Sequence, residues 1–555
     1  MFEKGGFNYM TQGKLNGQQV LILPEGSSRI LGRDAQRSNI AVAYAVASAV
    51  KSTLGPRGMD KMLVSDMGDI IITNDGATIL KEINVEHPTA KMMVEIAKTQ
   101  DSEVGDGTTT AVVLAGELLK KSADLLDQSI NPSIIITGFK KASKRAITTL
   151  KEVSQKVELK DTQILEKIAG IAMGSKTVSS GEAKDFLAKL VVSAMTQISM
   201  KTDSGFEVDK DYIKLEKKQG GDVLDTSVIN GVLIDKEIVH SGMPKQLKNA
   251  KIALLDVAIE IEKTETDAKI NINTPEQMTA FLEQEEKMLK KMVEIIVSTG
   301  CNVLFCQKGI DDVAQHYLSK QGIMVARRVK KSDMEKLARA TGGRSVTTLD
   351  DLSDKDLGFA GKVEEKKVAG EQMIFVEECR DPKSVTILVR GSTQYVVDEA
   401  ERSITDALGA VSSVIKDGYY VTGGGSVEMA LSMSLRKHAV EVGGREQLAI
   451  QAFAEALEVI PRTLAESCGI DPIDAIVELR SKHEKKDSNY GVDVLAGKIG
   501  DMKLVGVIEP LHVKRQAIQS ASEAAEMILR IDDIIASRGS PAQPPGGPGG
   551  MQGFD

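Results

Sequence analysis

Alanine- and valine-rich helical runs at both ends of the chain constrain its architecture more than any other feature. Residues 34–54, DAQRSNIAVAYAVASAVKSTL, carry small apolar side chains on nearly every helical face, which predicts a helix enclosed by protein on most sides. From about 423 to 538 similar helices return, in EMALSMSLRKHAVEV, EQLAIQAFAEALEVIPRTLAESCG and KRQAIQSASEAAEMILRID. Neither end alone can shield such helices from water, so the two are expected to fold together as one discontinuous domain. Between them, from about 212 to 390, short strands alternate with helical stretches: KIALLDVAI at 251–259, NVLFC at 302–306 and IMVARRV at 323–329. The middle therefore reads as an α/β insertion. The 555 residues are enough for about three or four domains, so the expected fold is multidomain, α and α/β.

Charge narrows the partners. The 70 lysines and arginines against 79 aspartates and glutamates leave a net charge of −9. The chain lacks the positive field that draws nucleic acid or an anionic membrane, and neither is expected as a partner. The four cysteines, Cys301, Cys306, Cys379 and Cys468, form no C-x-x-C pair to hold zinc or cycle a dithiol, which fits a reducing, cytoplasmic compartment. Cys301 and Cys306 flank NVLF and read as small core residues beside a buried strand. The opening MFEKGGFNYMTQGKLNG has no apolar signal region, and no run of 18 apolar residues occurs, so export and membrane insertion are disfavoured.

Several chemistries fail on spacing. GVDVLAGKI at 491–499 misses the G-x-x-x-x-G-K-[ST] phosphate loop in its glycine spacing and in its final residue. The six histidines include no H-E-x-x-H, and no G-x-S-x-G occurs. GDGTTT at 105–110 survives this screen. Gly105 and Gly107 allow close backbone approach, and the helix starting near Thr108 presents free N–H groups and a positive dipole end beside three hydroxyls. That is a phosphate cradle. Asp106 would repel a bare phosphate but suits a Mg2+ held between carboxylate and phosphate oxygens; the other reading is an Asx-type helix cap, and the residues alone leave both open. LGPRG at 54–58 reads as a helix stop and tight loop, TNDG at 73–76 as a strand end and turn carrying Asp75, and GGG at 423–425 as a turn. Singly each is only a turn; together they point to a site.

One segment fits the middle poorly. Thr274 and Pro275 begin a helix with apolar residues at Met278, Phe281, Leu282, Met288, Leu289, Met292, Val293 and Ile296. From Met288 onward the stripe is expected to face its own sheet. Residues 260–285 are polar and weakly apolar and are expected to project, offering an adaptable Met- and Phe-bearing surface. SPAQPPGGPGGMQGFD at 540–555 has four prolines and five glycines and is expected to be a disordered tail.

Taken in order, LGPRGMDKML (54–63), TNDGATILKEI (73–83), GDGTTTAVVLAGELL (105–119), GVLIDKEIVHSGMPK (231–245), RSITDAL (402–408), GGGSVEMAL (423–431) and IEPLHVKRQAI (508–518) resemble group II chaperonin subunits, those of the archaeal thermosome above all. The similarity runs from about residue 20 to 538, and the glycine- and Met-bearing tail resembles the family's GGM-type ends. Ser426 stands where the family more often has Ala, and Ser241 where Pro is common; neither is a proposed ligand.

The resemblance implies an equatorial ATPase domain (20–158 and 420–538), an intermediate hinge domain (159–229 and 385–419) and an apical polypeptide-binding domain (230–384), with flexible tails at 1–19 and 539–555. It makes the segment near 260–285 a helical protrusion, the built-in lid that bacterial-type chaperonins lack. Identical or related subunits would form two stacked rings around unfolded polypeptide. At the site it assigns Mg2+ to Asp106, the β- and γ-phosphates of ATP to Gly107, Thr108, Thr109 and Thr110, and the opposite side of the triphosphate to Leu54, Gly55 and Pro56. Ser175 and Lys176 become an intermediate-domain pair near nucleotide. Gly424 and Gly425 pack on ribose and base, Glu509 accepts from ribose hydroxyls, and Gly491 and Asp493 belong to the adenine-side loop. Asp75 and Asp406 are the two aspartates that orient the attacking water. Two other classes stand beside the folding machine: a phosphotransferase using the cradle on a small molecule, and a structural ring in which nucleotide controls only assembly.

Overall fold

Four of the described helices start where a capping side chain precedes proline. The computed structural model describes residues 11–15, 18–22, 28–64, 68, 70–83, 85–174, 181–202, 205–261, 274–379, 383–485 and 489–536. After α1 (Gly32–Lys51) and α2 (Gly76–Glu82), α3 (Pro88–Val104) begins behind His87, whose Nδ1 accepts from Thr89 N. Helix α4 (Thr108–Asp127) follows, and α5 (Pro132–Val153) begins behind Asn131, whose Oδ1 accepts from Ser133 N at 2.9 Å. Each cap satisfies an orphan amide of the first turn, where proline has none to lose.

These helices share their core with the far end of the chain. One continuous buried cluster joins residues of α1, α2, α3, α4 and α5 to residues of five C-terminal helices, which follow α6 to α11 in the chain. The intervening helices are α6 (Thr162–Ala172), α7 (Glu182–Ile198), α8 (Pro275–Ser298), α9 (Asp312–Lys320), α10 (Lys331–Thr341) and α11 (Gln394–Asp417). The C-terminal contributors are α12 (Ser426–Val442), α13 (Gly444–Leu457), α14 (Val459–Cys468), α15 (Pro472–Glu484) and, after α16 (Met502–Val505), α17 (Leu511–Leu529). Phe139 of α5 and Phe453 of α13, both fully buried, meet edge to face with ring centroids 5.6 Å apart. Helix α1 departs from its expected enclosure: Ala35, Asn39, Ile40, Ala43, Ala47 and Val50 form one buried stripe, while Ala41, Ala45 and Ala49 are exposed. Alanine costs little on either side of a helix, so a run of it does not report burial.

A second buried cluster gathers α6, α7 and α11 with the parallel strands Ile213–Gln219 and Val385–Gly391. The third layer is a mixed seven-stranded sheet in the order Gly231–Ile234, Glu371–Glu377, Gly358–Val368, Gln246–Leu255, Val303–Cys306 and Met324–Ala326, with Ser345–Val346 paired to Gln246–Leu255. Its central strands are covered on both faces. Ile252 and Leu254 pack on the side of α10, whereas Ala253 and Leu255 pack on the side of α8 and α9. Strand alternation separates the two sets. Lys214 fastens α10 to the second layer: its buried ammonium sits 2.9 Å from Asp333 and 3.1 Å from Glu216 and donates to Leu233 O at 2.7 Å.

Helix α8 changes character along its length. Thr274 Oγ1 accepts from Gln277 N; Met278, Phe281, Leu282 and Met288 are exposed, and burial begins at Leu289 rather than Met288, continuing at Val293 and Ile296. Residues 262–273 of the expected projection and the tail at 540–555 lie outside the described residues. Within the stretch expected as an amino-terminal tail, Thr11–Leu15 pairs antiparallel with Gln18–Ile22. An Asn-Gly dipeptide separates them in the sequence, the strongest short-range hairpin signal.

Finally, Gln155–Lys156, Tyr419–Thr422 and Ile508–Pro510 form a small antiparallel sheet where the chain passes between the first two layers. Phe453→Ala should lower the melting temperature of the assembly, corresponding to about 3–5 kcal/mol at a site that cannot collapse, because it removes the ring that the amino-terminal half packs against. Scanning calorimetry of variant and parent checks this.

Candidate functional site

Three loops distant in sequence converge on one cavity. Helix α3 ends at Gly105, in the left-handed conformation, and Gly107, with φ 76°, turns the chain into α4. A Cβ at Gly107 would also fall 2.7 Å from Val513 Cγ1. Both the dihedral and the close approach exclude a side chain there. The buried amide of Gln100 clamps the loop, donating to Asp106 O at 2.9 Å and to Val513 O at 3.3 Å. Asp106 is not the cap of α4, because Gly107 occupies that position; the Asp106 Oδ1 instead accepts from Gly107 N at 2.6 Å.

Asp75 caps α2, so TNDG is a helix start rather than a free turn. Its Oδ2 accepts from Thr78 N at 2.8 Å and from Thr78 Oγ1 at 2.7 Å, which leaves Oδ1 facing Thr108 Oγ1 at 3.5 Å. A Cβ on Gly76 would meet Thr109 Oγ1 at 2.5 Å, so α2 and α4 begin in direct contact. Thr109 Oγ1 in turn lies 3.5 Å from Thr53 Oγ1, beside the loop that carries Leu54, Gly55 and Pro56.

The cavity takes in about 1030 Å3 of space, its open mouth and the adjoining solvent included. Leu54, Gly55 and Pro56 line one side, and Asp106, Gly107 and Thr110 line another. Gly424, Gly425, Asp493 and Glu509 complete it from the carboxyl-terminal half. Gly425 caps α12 so tightly on α14 that a Cβ would lie 2.6 Å from that of Pro461. Asp493 is buried, and its Oδ1 accepts from Ala496 N at 3.0 Å, closing the turn after Tyr490–Asp493. Gly491 stands behind this wall, where a Cβ would meet Gly424 O at 2.8 Å.

Thr108, Thr109 and Asp75 sit behind the cradle rather than on the cavity wall. Asp406 lies on α11 one turn before Gly409, whose missing side chain lets α11 touch the loop: a Cβ there would fall 2.9 Å from Gly105 Cα. Residues three apart share a helix face, so Asp406 is on the side of α11 turned to GDGTTT, outside the cavity lining. Ser175 and Lys176 lie outside the described residues.

Sequence reasoning missed the lysines of this cavity. Lys514 is buried between Glu428 at 2.8 Å and Glu509 at 2.7 Å. Burial alone would pull its pKa down, but the two carboxylates outweigh that and hold the ammonium well above the ordinary lysine value. Glu509 is thereby fixed at the cavity edge. Lys184, near the start of α7, also lines the cavity. So do Ile171 and Gly174 at the end of α6 and Ile460 and Leu464 of α14. No local pattern announces these positions; only the folded chain brings them together.

The sequence profile of the TCP-1/cpn60 chaperonin family matches residues 46–538. The chain belongs to that family. Chaperonins similar to it over nearly their whole length include the thermosome subunit of Methanopyrus kandleri, 59% identical over 523 residues that cover 94% of this chain and 96% of the relative. The thermosome subunit of Pyrococcus horikoshii is 59% identical over 524 residues, covering 94% and 95%. The thermosome subunit beta of Archaeoglobus fulgidus is 57% identical over 538 residues, covering 97% and 98%. The chain is thus a group II chaperonin subunit of the thermosome kind, and its work is in protein folding. Among the described residues of this chaperonin, no helix is long and apolar enough to cross a membrane.

Lys514→Met would leave Glu428 buried without its counter-ion, a loss of about 3–5 kcal/mol. The ion pairs contribute stability that is fully present below the unfolded lysine value of 10.5 and lost as the pH climbs through the raised folded value. The parent should therefore lose stability in alkali partly through this group, and the variant should lack that component. Melting curves from pH 7 to about 11 compare the two.

Proposed function

We propose that the cavity binds ATP with Mg2+ and that the subunit hydrolyses it to drive folding. The observation that carries the reading is the meeting of GDGTTT, LGP and GGG around one space, with Gly107 and Thr110 at the start of the 20-residue helix α4 on its wall. Gly107, Thr108, Thr109 and Thr110 hold the β- and γ-phosphates through the first-turn amides, which have no partner inside the helix. Leu54, Gly55 and Pro56 close the other side. Gly424 and Gly425 take ribose and base, Gly491 and Asp493 shape the adenine-side loop, and Glu509, held by Lys514, accepts from ribose hydroxyls. Ser175 and Lys176 keep the part near nucleotide that the family resemblance gives them.

The donor set fits Mg2+. Among the described residues no cluster of three or more acidic, His or Cys side chains forms a protein-only cage, and Asp106 supplies a single carboxylate beside the phosphate cradle. That is how this hard ion is usually held, with phosphate oxygens and water completing its shell. Bound there, it would neutralise charge on the β- and γ-oxygens. Asp75 uses one oxygen to cap α2 and keeps the other toward Thr108, free of the cap, to orient a water on the γ-phosphate. Asp406 completes this pair from α11, a helix of the second buried cluster, and accepts the proton late as the P–O bond breaks. Placing the two carboxylates on separate cores makes turnover depend on their approach.

The domain layout follows the same logic. The equatorial ATPase domain spans 20–158 and 420–538, supported by the cluster that draws on both ends. The intermediate domain spans 159–229 and 385–419, supported by the cluster of α6, α7 and α11. The apical domain spans 230–384 around the seven-stranded sheet, with the protrusion near 260–285 as lid. Such subunits assemble as two stacked cytoplasmic rings and enclose unfolded polypeptide. The exposed Met278, Phe281 and Leu282 suit that work better than a small-molecule phosphotransferase, which needs a compact acceptor pocket.

Asp406→Ala should cut ATP turnover by about a hundredfold or more while nucleotide affinity stays near that of the parent. ATP-dependent recovery of a denatured test enzyme should fall with it. Unchanged turnover would remove Asp406 from the reaction, and full turnover without refolding by the parent would favour a ring in which nucleotide controls only assembly.

A further inference from the structure

Gln100, on α3, is completely buried and lies behind Asp106 and Gly107 without itself lining the cavity. Its Nε2 donates to two carbonyl oxygens, while its Oε1 accepts no hydrogen bond among the described residues. A buried carbonyl left unpaired is costly, and an apolar side chain of the same length would avoid that cost. No apolar side chain could hold two carbonyls with one amide group. The first of those carbonyls decides what the amide does. Asp106 C=O and Gly107 N–H belong to one peptide unit, which is planar and stiff. Gln100 Nε2 grips its oxygen at 2.9 Å, and on the opposite edge its N–H donates to Asp106 Oδ1 at 2.6 Å. Turning the plane would pull that N–H away from the carboxylate. Gly107, with φ 76°, offers little resistance of its own to such a turn, so the resistance comes from Gln100. The carboxamide lies flush against the loop, where a Cβ on Gly107 would come 3.2 Å from Nε2.

We infer that Gln100 is a positioning residue for the divalent cation: through the rigid 106–107 peptide plane it fixes the Asp106 carboxylate at the angle the ion requires. This rests on the nucleotide reading above. The second carbonyl gives the arrangement its reach. Val513 O, 3.3 Å from the same Nε2, belongs to α17 and precedes Lys514, which holds Glu509 at 2.7 Å. One amide thus sets the carboxylate beside the phosphate cradle relative to the helix that carries the opposite wall, and it does so without touching any ligand. Outer partners of this kind govern how tightly a metal is held while leaving the organic part of a ligand to other contacts.

The test separates metal from nucleotide on the purified full-length assembly. Binding of Mn2+, which accepts the same oxygen ligands as Mg2+, is followed by electron paramagnetic resonance with ADP present, and binding of ADP in excess EDTA is followed by isothermal titration. Gln100→Met, similar in volume but without the donor, should weaken Mn2+ about tenfold or more while metal-free ADP changes less than about twofold. Gln100→Glu, the same size as glutamine and able when protonated to keep one donor, should show a smaller metal-selective loss and serves if the methionine variant does not assemble. Equal weakening of Mn2+ and metal-free ADP would mark a merely structural role, and unchanged Mn2+ affinity in both variants would remove Gln100 from the metal site; either overturns the proposal and leaves the nucleotide reading intact. A parent assembly that binds ADP neither with metal nor without it would overturn both.

Discussion

Burial of two distant chain segments in a single core is the constraint on which the cavity depends. Phe139 and Phe453 meet edge to face, and around them α4, α5, α13 and α17 exclude water from one apolar volume. Without that packing GDGTTT would be a loop at the end of an isolated helix. With it, Val513 of the last long helix supports Gly107, Gln100 ties the same loop to Val513 O, and Pro461 backs Gly425. The walls of the site are therefore tertiary from the start: no stretch of continuous sequence makes more than one of them.

Electrostatics then divides the cavity into fixed and unfilled parts. The Glu428–Lys514–Glu509 group is buried, internally balanced and rigid, and it sets the position of a carboxylate at the edge. The α4 start and Lys184 are the positive features of the remaining wall, and Asp106 is the negative one on it. On the proposed nucleotide reading, such an arrangement suits a polyanion carrying a divalent cation better than a neutral ligand of the same size.

Glycine-bearing loops were legible in the sequence because the demand they answer is local. A positive φ at Gly107 or a helix start at Gly425 needs glycine whatever the rest of the chain does. The alternation that sends Ile252 and Leu254 to one face and Ala253 and Leu255 to the other is equally local, and so is the cap-then-proline start at His87, Asn131, Thr274 and Asp471. Three features were not legible. Gln100 acts on a partner 413 residues away, Glu428 and Glu509 become neighbours only through Lys514, and Lys184 sits in a sequence, GEAKDF, that any solvated helix start would share. The exposed flank of α1 misled for a related reason, since alanine is written alike on a covered and an uncovered face.

The bare contact between Gly409 and Gly105 also gives α11 a mechanical character. With no side chain interposed, backbone bears on backbone, and the contact serves as a fulcrum along a 24-residue rod. At 1.5 Å per residue, Asp406 lies roughly 4.5 Å from that point while the far end at Gln394 lies roughly 22 Å away. Tilting the rod by about ten degrees moves the carboxylate by less than 1 Å but the distant end by roughly 4 Å. The lever ratio of about five works in both directions: a sub-ångström adjustment beside GDGTTT is magnified into a displacement large enough to repack a helix surface, and a push on the distant end is geared down into a fine correction of one carboxylate.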